Sequence, residues 1–160
     1  MNSVIPLRTA LGANAGFSLL SALLMIFRPT QVGAWLGIEA PLVLQALGAG
    51  LAIFAAELAY QATRSRVATW RALAASMADF SWVLGSIVLL LVFPQLFSSF
   101  GSVLVLSVAA TVLGFGIWQL WGAGHAHKYG KAGEYRHCII VETDVSAEKM
   151  WRVVSNLGDI

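Results

Sequence analysis

Charge is scarce in this 160-residue chain. Asp, Glu, Lys and Arg supply 11% of the residues, roughly half the share of an average soluble domain. Cysteine occurs once, at Cys138, so neither an internal disulfide nor a multi-cysteine metal site can form. The net charge is only +2 and implies no polyanionic partner such as a nucleic acid. Hydrophobic residues are abundant instead, at 58%, and the mean hydropathy is +0.76. A disordered polar chain and an ordinary soluble enzyme domain are both excluded, and a membrane protein is indicated.

A bilayer core needs about 20 apolar residues per helix. Four stretches qualify, over 9–27, 42–62, 70–93 and 101–123. Pro29, Pro41, Pro94 and several arginines mark the boundaries, as expected where helices leave lipid. The first stretch reads as a helix of the mature protein. Its small-residue pattern Ala13-Asn14-Ala15 precedes the apolar run, whereas a signal-peptide cleavage site would follow it. The apolar segment 30–40 reads as a brief interfacial helix or turn.

Lys and Arg in the short connections set orientation. One side carries Arg8, Arg64, Arg66, Arg71, Lys128, Lys131 and Arg136, and the other only Arg28. Both termini are therefore expected in the cytoplasm. Trp70 and Trp121 would mark the inner interface and Trp35 the outer one.

Helices in lipid approach closely where small residues recur four apart. Gly12 and Gly16 do so on the first span, Ala46 and Gly50 on the second, and Ala110 and Gly114 on the fourth. These pairs predict packing within one bundle; the alternative is a homo-oligomer face. Phe17-Ser18-Leu19-Leu20 is echoed by Phe80-Ser81-Trp82-Val83, which fits either a duplicated hairpin or a restricted alphabet.

Acids within a span are rare, costing about 3 kcal/mol or more near the centre. Asp79 lies about 12 Å along the helix from Arg71, and Glu57 about 10 Å from Arg64, at about 1.5 Å per residue. Asn14 has similar depth on the first span, and Gln119 is shallower on the fourth. One polar group from each span is thus predicted in one half of the bundle. It would be either a structural lock, with Asp79 bonded to Asn14 or Ser76, or a site for a proton, a cation or a polar head group. Gln45, Ser86, Ser107 and Thr111 need no further role, since Ser and Thr can bond back to their own helix. His125, His127 and His137 read as linker histidines without acidic or cysteine partners. No Ser-His-Asp set, phosphate loop or HExxH motif is present, so no enzyme, metal or cofactor is expected.

The composition changes after Gly124. Residues 125–136 form a charged linker. Alternation over His137–Val145 predicts a strand, Ser146 an N-cap, and Ala147–Leu157 a helix with Met150, Trp151, Val153, Val154 and Leu157 on one face. The run Val145-Ser146-Ala147-Glu148-Lys149-Met150-Trp151, then Val153-Val154 and Leu157-Gly158-Asp159, resembles the opening of START-like domains (the SRPBCC superfamily, which includes polyketide cyclases and lipid-transfer proteins). The resemblance covers about the last 25 residues, and implies the incomplete beginning of a lipid- or hydrophobic-ligand-binding domain. It carries over no catalytic or ligand-binding residue. Residues 1–124 resemble small Ala/Leu/Gly-rich four-helix membrane proteins of bacteria. The expectation is an all-α, four-span bundle in a bacterial inner membrane with a strand–helix appendix at 137–160. It would anchor a START-like domain or, alternatively, act as a small proton- or cation-linked transporter through Asp79 and Glu57.

Overall fold

The computed structural model describes residues 5–64 and 69–130. Within them are five α-helices and one 3-10 turn, with no strand: α1 (Ile5–Phe27), α2 (Pro29–Leu36), α3 (Pro41–Thr63), α4 (Thr69–Val92), the turn Pro94–Leu96 and α5 (Ser99–Gly130). Four of the helices are long and apolar enough to cross a membrane, over Pro6–Phe27, Pro41–Thr63, Trp70–Val92 and Ser99–Gly124. The expected strand and helix of the tail lie outside the described residues, as do Arg66, His137 and Cys138.

One boundary differs from expectation. The linker expected from residue 125 begins as helix, because α5 continues unbroken to Gly130. Leaving an apolar stretch does not end a helix; a terminator does, and Gly124 has helical backbone here.

Three of the turns use proline where its missing N–H costs nothing, since Pro29, Pro41 and Pro94 each stand at the start of a helical element. The 30–40 segment contains α2, which stops at Gly37 in the left-handed conformation (φ 83°). A β-carbon there would be strained, and would also meet the Ser98 amide nitrogen at 2.6 Å. The Ser98 N–H donates to the Leu36 carbonyl at 2.9 Å. Its hydroxyl caps α5 by accepting from the Gly101 N–H, also at 2.9 Å. α2 is thereby tied to the start of α5.

The four long helices form two antiparallel hairpins. α1 packs along α3, α4 along α5, and α1 against α5 joins them; α3 and α4 share no extensive contact. At the end holding Leu7 and Ala123, all four long helices meet in one apolar cluster that includes Leu11, Leu58, Ala72 and Ala75. At the other end the cluster is built from α2, α3 and neighbours on α1 and α5 around Val32, Leu36 and Leu44, without α4. α4 therefore parts from α3 along its length.

Burial is the reverse of a soluble protein's. Asn14, Ser18, Gln61, Ser76, Asp79 and Gln119 are buried, while Leu20, Phe27, Ile53, Leu84, Leu91 and Val103 are at least 60% exposed. Such an apolar surface would drive association in water. Against lipid it has no such consequence, and polar groups must be satisfied inside.

The small-residue pairs do not pack as expected. Gly12, Gly16, Ala46, Gly50, Ala110 and Gly114 all lie on exposed faces, and nothing stands within 4 Å of a β-carbon built on any of these four glycines. The close approaches fall elsewhere. A β-carbon on Gly48 would meet Met25 Cβ and Ile26 Cγ1 at 2.9 Å, and one on Gly122 would meet Leu7 Cα at 2.9 Å. Spacing of four marks a smooth helix face but not the direction in which it points.

Candidate functional site

Three of the four polar residues singled out in the spans come together. Asn14 on α1 and Gln119 on α5 are fully buried, and Asp79 on α4 is 3% exposed. Asn14 Nδ2 donates to Asp79 Oδ2 at 2.8 Å, and Gln119 Nε2 donates to the same oxygen at 3.0 Å. The Ser18 hydroxyl in turn donates to Asn14 Oδ1 at 3.2 Å. Ser76, the other partner weighed for Asp79, instead bonds back to the Ala72 carbonyl at 3.1 Å.

Each helix presents its member for a local reason. On α5, Ala109, Val112, Gly116, Gln119 and Ala123 are buried and recur at three and four, one stripe of a helix. Gly116 lets α5 come close to α4 beside the acid: a β-carbon there would lie 3.4 Å from Asp79 Cβ. On α4, Ala72, Ala75, Ser76 and Asp79 form the matching stripe. Leu7, Leu11, Asn14, Ser18 and Ala22 do so on α1.

Glu57 does not join them. Its Oε1 lies 3.4 Å from Arg71 Nη1, with side chains 48% and 38% exposed respectively, and it accepts a hydrogen bond from Gln61 Nε2 at 3.1 Å. The reason is register: Glu57 falls one residue before buried Leu58, on the outward side of α3. Arg71 also lies over the Trp70 and Tyr60 rings, and Arg64 stacks on Tyr60 and donates to its hydroxyl. This is an interfacial group of cations and aromatic rings, separate from Asp79.

The feature that sequence reasoning missed is a cleft of about 320 Å³ between the two hairpins, in which Asp79 is one of the lining residues. Phe17, Phe54, Trp82 and Val112 supply much of its apolar wall, and Phe17 is braced at 5.8 Å by the Phe115 ring. Ala46 and Gly50 line it too, so this small-residue pair makes room for space, not for a helix. The cleft lies where α3 and α4 are not in extensive contact, and thus opens sideways between them. A pattern of small residues facing an acid on another span was the available signal, but no one-helix pattern reveals which helices part.

Both amide donors go to Oδ2. Among the described residues Asp79 Oδ1 has no donor and no cationic side chain reaches the carboxyl. Gln119 Oε1 is likewise buried without a hydrogen-bond partner among the described residues. A carboxylate accepts and does not donate, so two amides hold one oxygen and the other accepts no hydrogen bond among the described residues. Ser86, Ser107 and Thr111 bond to carbonyls of their own helices at 2.8–2.9 Å. Gln45 Nε2 reaches the Ile26 carbonyl at 3.2 Å, tying α3 to the end of α1. His125 and His127 fall on the final turns of α5. Among the described residues no three His, Cys, Asp or Glu side chains gather as a metal site. Neither a family model, a curated protein nor a solved structure matches this chain.

Proposed function

We propose that this chain is a multi-pass membrane protein that binds a lipophilic molecule between its two helical hairpins. The cleft carries the reading. Its volume of about 320 Å³ falls in the range of small-molecule sites, about 300–1,000 Å³. Its wall is apolar apart from a few polar groups, which is how such sites combine affinity with orientation. Apolar molecules concentrate in the bilayer, and a sideways opening suits entry from lipid.

Charge placement supports the orientation. Arg8 donates to the Arg64 carbonyl, and Arg71 pairs with Glu57 on the same helix that ends at Thr63. These cations share one end of the bundle, and Arg28 follows α1 at the other. By the positive-inside rule this favours cytoplasmic termini, and the likeness to small bacterial four-helix proteins favours a bacterial inner membrane.

A second reading has its own support. α5 runs to Gly130, past the apolar span that closes at Gly124. A continuous helix of this kind suits a stalk, with the four spans anchoring a START-like segment and the cleft holding apolar ligand nearby. Cation-linked transport through Asp79 and Glu57 acting together is less favoured, because Glu57 sits with Arg71 instead of in the cleft.

The test uses the full chain in phosphatidylcholine nanodiscs and an alkyl diazirine as photo-crosslinking probe. Adducts should concentrate on peptides containing Phe54 and Trp82. They should fall at least several-fold in Gly50→Leu, which fills the cleft from a position with open space around it. Adducts spread evenly over the lipid-facing residues and indifferent to Gly50→Leu would defeat the reading.

A further inference from the structure

We infer that the cleft selects a protonated amine on an apolar body, with Asp79 Oδ1 as the group that receives it. The inference rests on the cleft being the binding site and adds the chemical class of its ligand.

Two neutral amides hold Asp79 Oδ2 at 2.8 and 3.0 Å. Neither brings charge, and the Arg71 guanidinium at the end of the bundle is paired with Glu57 instead. A buried ionised carboxylate needs a counter-charge as well as hydrogen bonds. An ammonium supplies both in one group, a hydroxyl supplies only the hydrogen bond, and a carboxylate ligand would be repelled. Asp79 is 3% exposed and lines the cleft, so the free oxygen is reached only from inside it. The walls fit the rest of such a molecule. Phe17, Phe54 and Trp82 offer apolar area, and their ring faces attract a cation that comes within about 6 Å.

Depth distinguishes the source of the amine. Asp79 is ten residues into α4, which starts at Thr69 and ends at Val92. That places it about 15 Å from one end and about 20 Å from the other at about 1.5 Å per residue. An aminophospholipid head group would have to leave the interface to reach it. A single-chain or ring-bearing free amine can lie wholly within the cleft.

The experiment compares three photo-crosslinking probes with the same alkyl diazirine body, ending in a primary amine, a hydroxyl or a carboxylate. The full chain is held in phosphatidylcholine nanodiscs near neutral pH, where an alkylamine is protonated. The amine probe should label the cleft peptides at least tenfold more efficiently than the alcohol, and the carboxylate least. In Asp79→Asn the preference for amine over alcohol should vanish while alcohol labelling persists. The asparagine oxygen can still accept from Asn14 and Gln119, so the fold is kept, as circular dichroism would verify. Equal labelling of wild type by amine and alcohol, still sensitive to Gly50→Leu, overturns the ligand class and leaves the binding reading standing. Labelling insensitive to Gly50→Leu removes the binding reading itself. The wild-type comparison decides the class even if Asp79→Asn fails to fold. Displacement of the amine probe by phosphatidylethanolamine added to the discs would overturn the free-amine source.

Discussion

At the scale of single residues, two acids inside apolar helices have opposite circumstances, and their variants should separate. Asp79 satisfies two buried amides. Asp79→Leu would leave both without an acceptor, a loss of about 1–3 kcal/mol for each stranded group. Glu57 is half exposed and paired with a half-exposed Arg71. Pairs of that kind are worth about 0–1 kcal/mol, so Glu57→Gln should leave stability and cleft labelling nearly as in wild type. Thermal unfolding of both variants in detergent checks the contrast, and equal losses would show that Glu57 has a structural role its contacts do not reveal. The depth of both acids was legible in the sequence, because residue number along a helix converts directly to distance. Their different fates were not, since one step of register turns a side chain by about 100°.

At the scale of helical elements, glycine has two roles here that look alike in sequence. Gly48 lets α1 and α3 touch, with the Ala22 carbonyl oxygen 3.0 Å from where a β-carbon would sit. Gly16 faces open space. Gly48→Ala should therefore lower stability by about 1–3 kcal/mol, the range for overpacking a close contact. Gly16→Ala should be neutral or slightly stabilising, since alanine is the better helix former. Paired unfolding curves in detergent test this. A comparable loss in Gly16→Ala would mean that the outward face of α1 packs against another surface, as in a homo-oligomer. The useful signal on α5 combined small and polar residues: Ala109, Gly116, Gln119 and Ala123 share one stripe, whereas Ala110 and Gly114 lie beside it. A rule based on small residues alone selects the wrong stripe.

For the whole molecule, the proposed topology rests on which end collects the cations. Cys138 is the single cysteine of the chain and lies beyond α5. If the termini are cytoplasmic, as proposed, a membrane-impermeant maleimide should leave it unlabelled in intact cells and should label it once the membrane is permeabilised. In a Cys138→Ser background, Gln95→Cys, in the turn between α4 and α5, should show the reverse. Labelling of Cys138 from the outside, with Gln95→Cys labelled only after the membrane is opened, would place the termini on the opposite face from the one the cations favour.

Sequence alone determined the number of long apolar helices, their approximate limits and the position of each polar group along them. These follow from local quantities: runs of apolar residues, prolines at boundaries and a constant rise per residue. The short element at 30–40 was legible too, as an apolar segment too brief to span, and it contains the helix α2. Tertiary structure alone decided that Asn14, Asp79 and Gln119 meet while Glu57 stays at the edge. It also decided that Gly48 and Gly122 are contacts while Gly12 and Gly16 are surface, and that a cleft opens between α3 and α4. The physical reason is that lipid rewards all apolar faces of a helix alike. A uniformly apolar span carries little information about which side faces a neighbour, and the pairing emerges only when the few polar groups and the closest backbone approaches are satisfied together.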